Sequence, residues 1–331
     1  MDRRRVLGRR LHGGGIEVSA LGLGCWAIGG PYGGRGSELG WGAVDDAESV
    51  RAIQRGIEAG VTFFDTASSY GAGHSESILG TAFRGRREQV VIASKWGLVF
   101  DEETRVADGL DGSAEFLREC LEGSLRRLQT DYVDIYQLHI NHHPVDQALE
   151  LIPALEDLVA AGKIRAYGWS TDDPARARAF AAAGEHVATA QFDMSVLRDA
   201  PGMVEACDDE GLGGIIRGPL AMGLLSGKYH DGRGVGERDV RGQGLEWMTY
   251  FGDDGRGAPQ WLAAIDEIRD VLTSGGRTLI QGALAWIWAR SENTLPIPGF
   301  RTEQQVAELV GALEHGPLRA EEFAAIEKWR R

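Results

Sequence analysis

Only three cysteines occur in the 331 residues, Cys25, Cys120 and Cys207, and no two of them stand in a CxxC spacing. That excludes a disulfide framework as the basis of the fold. No apolar run approaches the length of a membrane span. An excess of basic charge is also missing. The formal net charge is −14, a field that opposes nucleic acid and anionic membrane surfaces as partners. No long apolar stretch follows the opening Met-Asp-Arg-Arg-Arg, which argues against a secretory signal and leaves a cytoplasmic location as the expectation. Finally, the first clear parallel strand candidate lacks the glycine fingerprint of an open dinucleotide-binding sheet and runs instead into Asp65-Thr-Ala-Ser-Ser-Tyr70.

What remains is ordinary globular composition, 43% hydrophobic and 25% charged, with 47 glycines in no regular period. Such glycines mark tight turns and places where backbone comes close to a ligand. Val6 to Gly30 reads as turns or a small hairpin closing one end of the fold. Beyond it, strand and helix candidates alternate. Helix 45–59 precedes strand Val61–Asp65, helix 75–84 precedes strand Val90–Lys95, and helix 114–128 precedes strand 132–139. The pattern goes on with helix 146–160 and strand 164–169, helix 174–183 and strand 187–192, and helix 201–210 and strand 213–217. Helix 277–290, strand 294–298 and helix 303–314 follow, with a last strand near 312–317 and a closing helix 320–330. Repeats of this size over this length predict an α/β fold, a (β/α)₈ TIM barrel formed by residues 1–331 as one domain. Residues 230–259 break the rhythm with eight glycines and with Trp247, Tyr250 and Phe251. A segment this long after the sixth strand candidate is expected to be an active-site loop.

Asp65, Tyr70, Lys95 and His139 fall at or just after the first three strand candidates, so their side chains are predicted to converge on one rim. Each alone has a structural explanation: a loop cap, rim packing, a solvent-facing lysine, a hydrogen-bonded histidine. Together they suit proton-coupled hydride transfer. Asp65 would hold Lys95, and the ammonium would favour the phenolate and so lower the pKa of Tyr70. Tyr70 would then protonate the developing alkoxide while His139 donates a second hydrogen bond to the same oxygen.

The stretches FFDTASSYG (63–71), IASKWG (92–97), VDIYQLH (133–139), IRAYGWS (164–170), GPLAMGLLSGKY (218–229) and PIPGFRTEQQ (296–305) resemble, in order, the motifs of the aldo-keto reductase family. The resemblance implies reduction of an aldehyde or ketone with NADPH/NADP+ as cofactor and a small carbonyl substrate as partner. It leaves the oligomeric state open. It implies that Asp65, Ser170 and Gln191 approach the nicotinamide, the latter two through its carboxamide. It places the pyrophosphate on Pro219–Lys228, including Leu220, Gly223 and Lys228, and the adenosine 2′-phosphate near Gly299, Arg301 and Gln305. Three positions depart from the family pattern. Met194 stands where a nicotinamide-stacking tyrosine is common and is expected to fill that place; Gly218 and Leu309 replace a serine and an asparagine. Trp26, Trp96 and the 230–259 loop are candidate walls of the substrate pocket; Arg217, His142 and His143 could face it too, but solvent exposure or structural hydrogen bonding is the preferred reading of all three.

Four other readings compete. A metal-dependent hydrolase using Asp65, His139 and His142 or His143 would lack a full ligand cluster and would place Lys95 beside the metal. Schiff-base chemistry at Lys95 leaves the phosphate-binding segments unexplained. A nonenzymatic cofactor-sensing subunit would not require all four catalytic residues. The fourth is a reductase dedicated to a specialised sugar or natural-product intermediate.

Overall fold

The computed structural model describes residues 4–8, 15–34 and 36–331. Eight parallel strands make its main sheet. In chain order they are β1 (Gly22–Gly24), β2 (Phe63–Asp65), β3 (Val91–Trp96), β4 (Val133–Leu138), β5 (Ile164–Ser170), β6 (Val187–Asp193), β7 (Gly213–Arg217) and β8 (Thr294–Pro296). Each pairs with the next, and the ring closes where the Gly24 N–H donates to the Pro298 carbonyl at 3.0 Å. A side chain at Gly24 would lie 2.6 Å from the Ile297 carbonyl oxygen, so closure requires glycine there. Helices cover the outside. Several start at polar caps that satisfy free backbone N–H groups: Asp45, Ser113, Asp173, Thr278 and Thr302.

Two-residue alternation divides the strands' side chains between two apolar cores. Phe64, Ile92, Tyr136, Tyr167, Phe192 and Ile216 point outward into the shell beneath the helices. Phe63, Val91, Ala93, Ile135, Ala166, Ala188, Ile215 and Leu295 fill the inside toward the amino-terminal ends. The N-terminal hairpin, Arg4–Leu7 paired antiparallel with Ile16–Ser19, plugs that end through Leu7, Ile16 and Val18. Residues 9–14, the middle of the segment expected to form a hairpin, lie outside the described residues.

The strand expected near 312–317 is absent. Residues 312–315 belong to helix Glu303–His315, which is capped by Gly316 with φ 71°. The strand that completes the eight is β1, Gly22–Gly24, within the segment read as turns; two glycines in three residues give no strand signal because glycine is depleted from strands. The expected helix 146–160 is two, Val145–Glu150 and Ile152–Ala160, since Pro153 has no N–H for the intervening turn and restricts the residue before it. Among the elements that went unread are the hairpin Leu98–Asp101/Val106–Leu110, the short pair Gly33–Gly34/Ser37–Glu38 in the same small sheet, and helix Pro259–Leu272.

The 230–259 segment follows Gly213–Arg217 as expected, and it is an ordered strap. Asp239 and Arg241 form a buried pair with Nη2–Oδ2 at 2.6 Å, and Arg241 also donates to the Tyr229 hydroxyl at 2.6 Å and packs 4.6 Å from the Trp41 ring. The Val240 N–H donates to the Gly40 carbonyl at 2.8 Å, fastening the strap to the loop after β1.

Leu7 is fully buried against Gly213, at the end opposite the mouth. Leu7→Ala should therefore lower unfolding free energy by about 2–5 kcal/mol in a denaturant titration, while the carboxyl-end cleft keeps its ligand affinity.

Candidate active site

The inward alternation that fills the lower barrel with apolar side chains places polar ones at the carboxyl ends. Phe63 is followed two residues on by Asp65, Ala93 by Lys95, and Ile135 by Gln137 and then His139. Lys95 has no exposed surface, and its ammonium sits among three oxygens: Asp65 Oδ1 at 2.5 Å, the Thr66 carbonyl at 2.7 Å and the Tyr70 hydroxyl at 3.3 Å. The other Asp65 oxygen accepts from Gln191 Nε2 at 2.7 Å and from Gln137 Nε2 at 3.4 Å. Both charges are thus paired and hydrogen-bonded, the condition for holding an ion pair out of water. His139, whose N–H donates to the Trp96 carbonyl at 2.7 Å, sets its ring edge-on to Tyr70 with centroids 5.8 Å apart. The four residues expected to converge do meet, at the mouth of β2–β4.

The electrostatics correct one expectation. Burial, with the Asp65 carboxylate adding to it, pushes the Tyr70 phenol well above its ordinary value of 10.0. Desolvation outweighs the lowering assigned to Lys95, and Tyr70 is held protonated. Burial also pulls the Lys95 ammonium down, against the attraction of Asp65. His139 is pushed well below 6.5 by burial first, then by Lys95 and Arg217. Its imidazole is neutral at pH 7 and has one N–H to donate. The cleft therefore presents a phenol and an imidazole N–H that can both reach one oxygen, with a buried cation behind the phenol.

Ser170 and Gln191 lie opposite each other in the β5–β6 register, and both are buried. Segment 218–227 departs from regular backbone, with Gly218, Ala221, Met222, Gly223 and Gly227 all at φ between 49° and 89°. Left-handed non-glycine residues are strained and gather at functional sites, and turns of this kind make concave anion sites from backbone N–H groups. This backbone fits a diphosphate. Gly223 lies close against the strap, since a side chain there would come 3.3 Å from Arg241 Nη1. Pro219 and Leu220 lead into this turn, and Lys228 follows it, with Nζ 5.1 Å from the Tyr229 ring centroid. The Arg301 N–H donates to Gln305 Oε1 at 2.7 Å, and the Arg301 guanidinium donates to the carbonyls of Trp41 and Ala43, beside the first turn of helix Glu303–His315. Gly299 bridges Gly24 at the ring closure.

Two expected positions are enclosed in the apolar core. Met194 has no exposed surface and packs in the larger apolar cluster. Trp96 is fully buried on the outer side of β3, stacked 4.9 Å from Tyr136, because it alternates with inward Lys95. Leu309 is likewise a core residue. Trp26 does line the mouth, stacked on Tyr70 at 5.8 Å, with Trp247 of the strap 6.2 Å beyond. Gln137 was missed, although its place two residues before His139 on the inward side of β4 was the available signal. Among the described residues, no group of three or more His, Cys, Asp or Glu side chains could hold a metal ion. No helix among them is long and apolar enough to cross a membrane.

Comparison with known proteins gives the same picture. A family model described as the aldo/keto reductase family matches residues 20–331. The aldo-keto reductase YhdN of Bacillus subtilis is 30% identical over 310 residues, 89% of this chain and 85% of that relative. A glycerol dehydrogenase structure from Gluconobacter oxydans is 26% identical with TM-score 0.79, covering 99% of this chain and 94% of that one. An aldo-keto reductase from Klebsiella pneumoniae, solved in complex with NADPH, is 28% identical with TM-score 0.68, covering 99% of this chain and 95% of that one.

A histidine kept neutral by folding costs stability in acid. Below about pH 6.5 the unfolded chain protonates His139 and the folded chain does not, so unfolding free energy should fall as pH drops through that range. The contribution is at most about 1.4 kcal/mol per pH unit. Denaturant titrations from pH 7 to 5 should show a shallower decline for His139→Gln than for the parent; equal slopes would reject a neutral His139.

Proposed function

The chain belongs to the aldo/keto reductase family, and from that membership and the cleft geometry we propose that Tyr70 is the proton donor of an NADPH-dependent carbonyl reductase. The reaction converts an aldehyde or ketone to the alcohol. NADPH, when bound, supplies the hydride to the carbonyl carbon. Tyr70 gives the carbonyl oxygen its proton, and His139 donates a hydrogen bond to the same oxygen, fixing its direction and stabilising the developing charge.

The observation that carries this reading is the position of Lys95 Nζ between Asp65 Oδ1 and the Tyr70 hydroxyl. Burial keeps the phenol protonated before reaction, as a proton donor requires. The adjacent ammonium stabilises the phenolate left afterwards, and Asp65, held by Gln191 and Gln137, fixes the ammonium in place. Roles as acid and as charge stabiliser are thus divided between two contacting groups.

For the cofactor, Asp65, Ser170 and Gln191 take the nicotinamide end. One N–H of the Gln191 amide serves Asp65, which leaves its carbonyl and second N–H for a carboxamide. Pro219, Leu220, Gly223 and Lys228 hold the diphosphate on the left-handed turn. Gly299, Arg301 and Gln305 receive the 2′-phosphate, where a guanidinium and a helix amino terminus both favour an anion. The Klebsiella relative bound to NADPH supports the choice of cofactor.

Tyr70→Phe should leave NADPH affinity within a few-fold of the parent and reduce turnover by roughly 10²–10⁴-fold, and Lys95→Met should also impair turnover. Product formation by the Tyr70 variant at the parental rate, with both substrates saturating, would refute the assignment. Arg301→Ala should weaken NADPH by roughly tenfold or more and leave NADH nearly unchanged in a fluorescence titration. Equal losses for the two would remove Arg301 from the 2′-phosphate site.

A further inference from the structure

We propose that Ser75 is a positioning residue for the proton transfer, its buried hydroxyl closing the turn that sets the Tyr70 hydroxyl on Lys95. The proposal rests on the assignment of Tyr70 as proton donor. Ser75 has no exposed surface and stands in the first turn of helix His74–Ala82. Its Oγ donates to the Cys25 carbonyl at 2.8 Å and, with its one proton so used, accepts from the Thr66 hydroxyl at 2.9 Å. Its N–H donates to the Tyr70 carbonyl at 3.2 Å.

One residue thus joins the ends of β1 and β2 to the backbone of the proton donor. Cys25 follows β1, gives its N–H to the Asp65 carbonyl at 2.8 Å, and precedes Trp26, which stacks on Tyr70. Thr66 follows Asp65, and its own carbonyl accepts from Lys95 Nζ at 2.7 Å. The Ser75–Thr66 contact therefore ties the segment that carries Tyr70 to the residue that helps hold the ammonium.

The turn between them needs such a tie. Gly71, Ala72 and Gly73 all take left-handed backbone, with φ of 62°, 52° and 91°, and for Ala72 that conformation is strained. Gly71 is pressed on Gly29, where a Cβ would come 1.9 Å from the Gly29 carbonyl oxygen. The Ser68 N–H on the Lys95 carbonyl, at 3.2 Å, fixes the first half of the turn to β3. From Tyr70 onward the hydrogen-bonded attachment to the strand ends runs through Ser75. At 3.3 Å the contact between Lys95 Nζ and the Tyr70 hydroxyl is already long, and an outward drift of about 0.3 Å ends it. Without the Ser75 hydroxyl, the Cys25 carbonyl and the Thr66 hydroxyl lose a partner in a dry interior, and the helical turn that holds the Tyr70 carbonyl loses its anchor. The phenol then lies further from the ammonium that stabilises its phenolate.

The test is a mutant cycle on single-turnover NADPH oxidation with saturating benzaldehyde or glyceraldehyde, whichever the parent reduces faster. Ser75→Ala should slow the step about ten- to hundredfold, with KM and NADPH affinity within about threefold of the parent. Added to Tyr70→Phe, the same substitution should cost less than about threefold, because no phenol is left to place. Thr66→Val keeps the side-chain shape and the carbonyl on Lys95 while removing the hydroxyl. It should slow the parent about three- to tenfold and the Tyr70→Phe variant hardly at all, and it carries the cycle should Ser75→Ala fail to fold. A folded Ser75→Ala at the parental rate, or equal losses with and without the Tyr70 hydroxyl, would overturn the proposal and leave the proton donor standing. A parent that reduces neither aldehyde, or a Tyr70→Phe variant as fast as the parent, removes the proton-donor assignment and the proposal with it.

Discussion

A buried ammonium on a barrel strand must have its charge matched, and Asp65 does this for Lys95 at 2.5 Å. The pair is possible because the barrel beneath it is filled with apolar side chains and closed below by the hairpin, while two glutamine amides satisfy the remaining carboxylate oxygen. Removing either charged partner leaves the other in a low-dielectric interior without compensation, which is far more costly than losing an exposed pair. The same charge lies against the Tyr70 hydroxyl and helps keep His139 neutral. The Tyr70 hydroxyl and the His139 ring therefore both answer to one buried charge.

Around that contact the loops have separate tasks. The strap carries Trp247 toward Trp26, which stacks on Tyr70 and walls one side of the mouth. Its other end is locked by the Asp239–Arg241 pair over the turn assigned to the diphosphate. Charged groups occupy a further part of the rim, with Arg217–Asp172 and Asp193–Arg198 as adjacent pairs. Aromatic packing walls one side of the mouth, left-handed backbone forms the 218–227 turn, and two ion pairs occupy the rim.

Much of this could be read from the chain itself, for a local physical reason. Strands buried on both faces appear as compact apolar runs between amphipathic helices, so seven of the eight barrel strands and most helices were visible without coordinates. The four residues Asp65, Tyr70, Lys95 and His139 were visible too, since a polar residue ending an apolar parallel strand points to the catalytic face. Gly22–Gly24 was not: it is a strand through its neighbours' hydrogen bonds, and its glycines answer to the close approach of Ile297 rather than to strand propensity. The alternation that turns Lys95 inward turns Trp96 outward, and strict counting along β3 would have excluded Trp96 from the pocket.

Sequence alone determined most of the order of strands and helices, the convergence of Asp65, Tyr70, Lys95 and His139 and the family they mark, because each depends on residue type at short spacing. Tertiary structure decided what depends on distance and dielectric. Desolvation raises Tyr70 although a cation touches it, Trp96 is turned into the shell while Lys95 is turned into the cleft, and the glycine-rich strap is held to the loop after β1 by a backbone hydrogen bond besides its buried ion pair. No pattern of neighbours along the chain carries that information, since the groups responsible lie as much as 126 residues apart, as Gln191 does from Asp65.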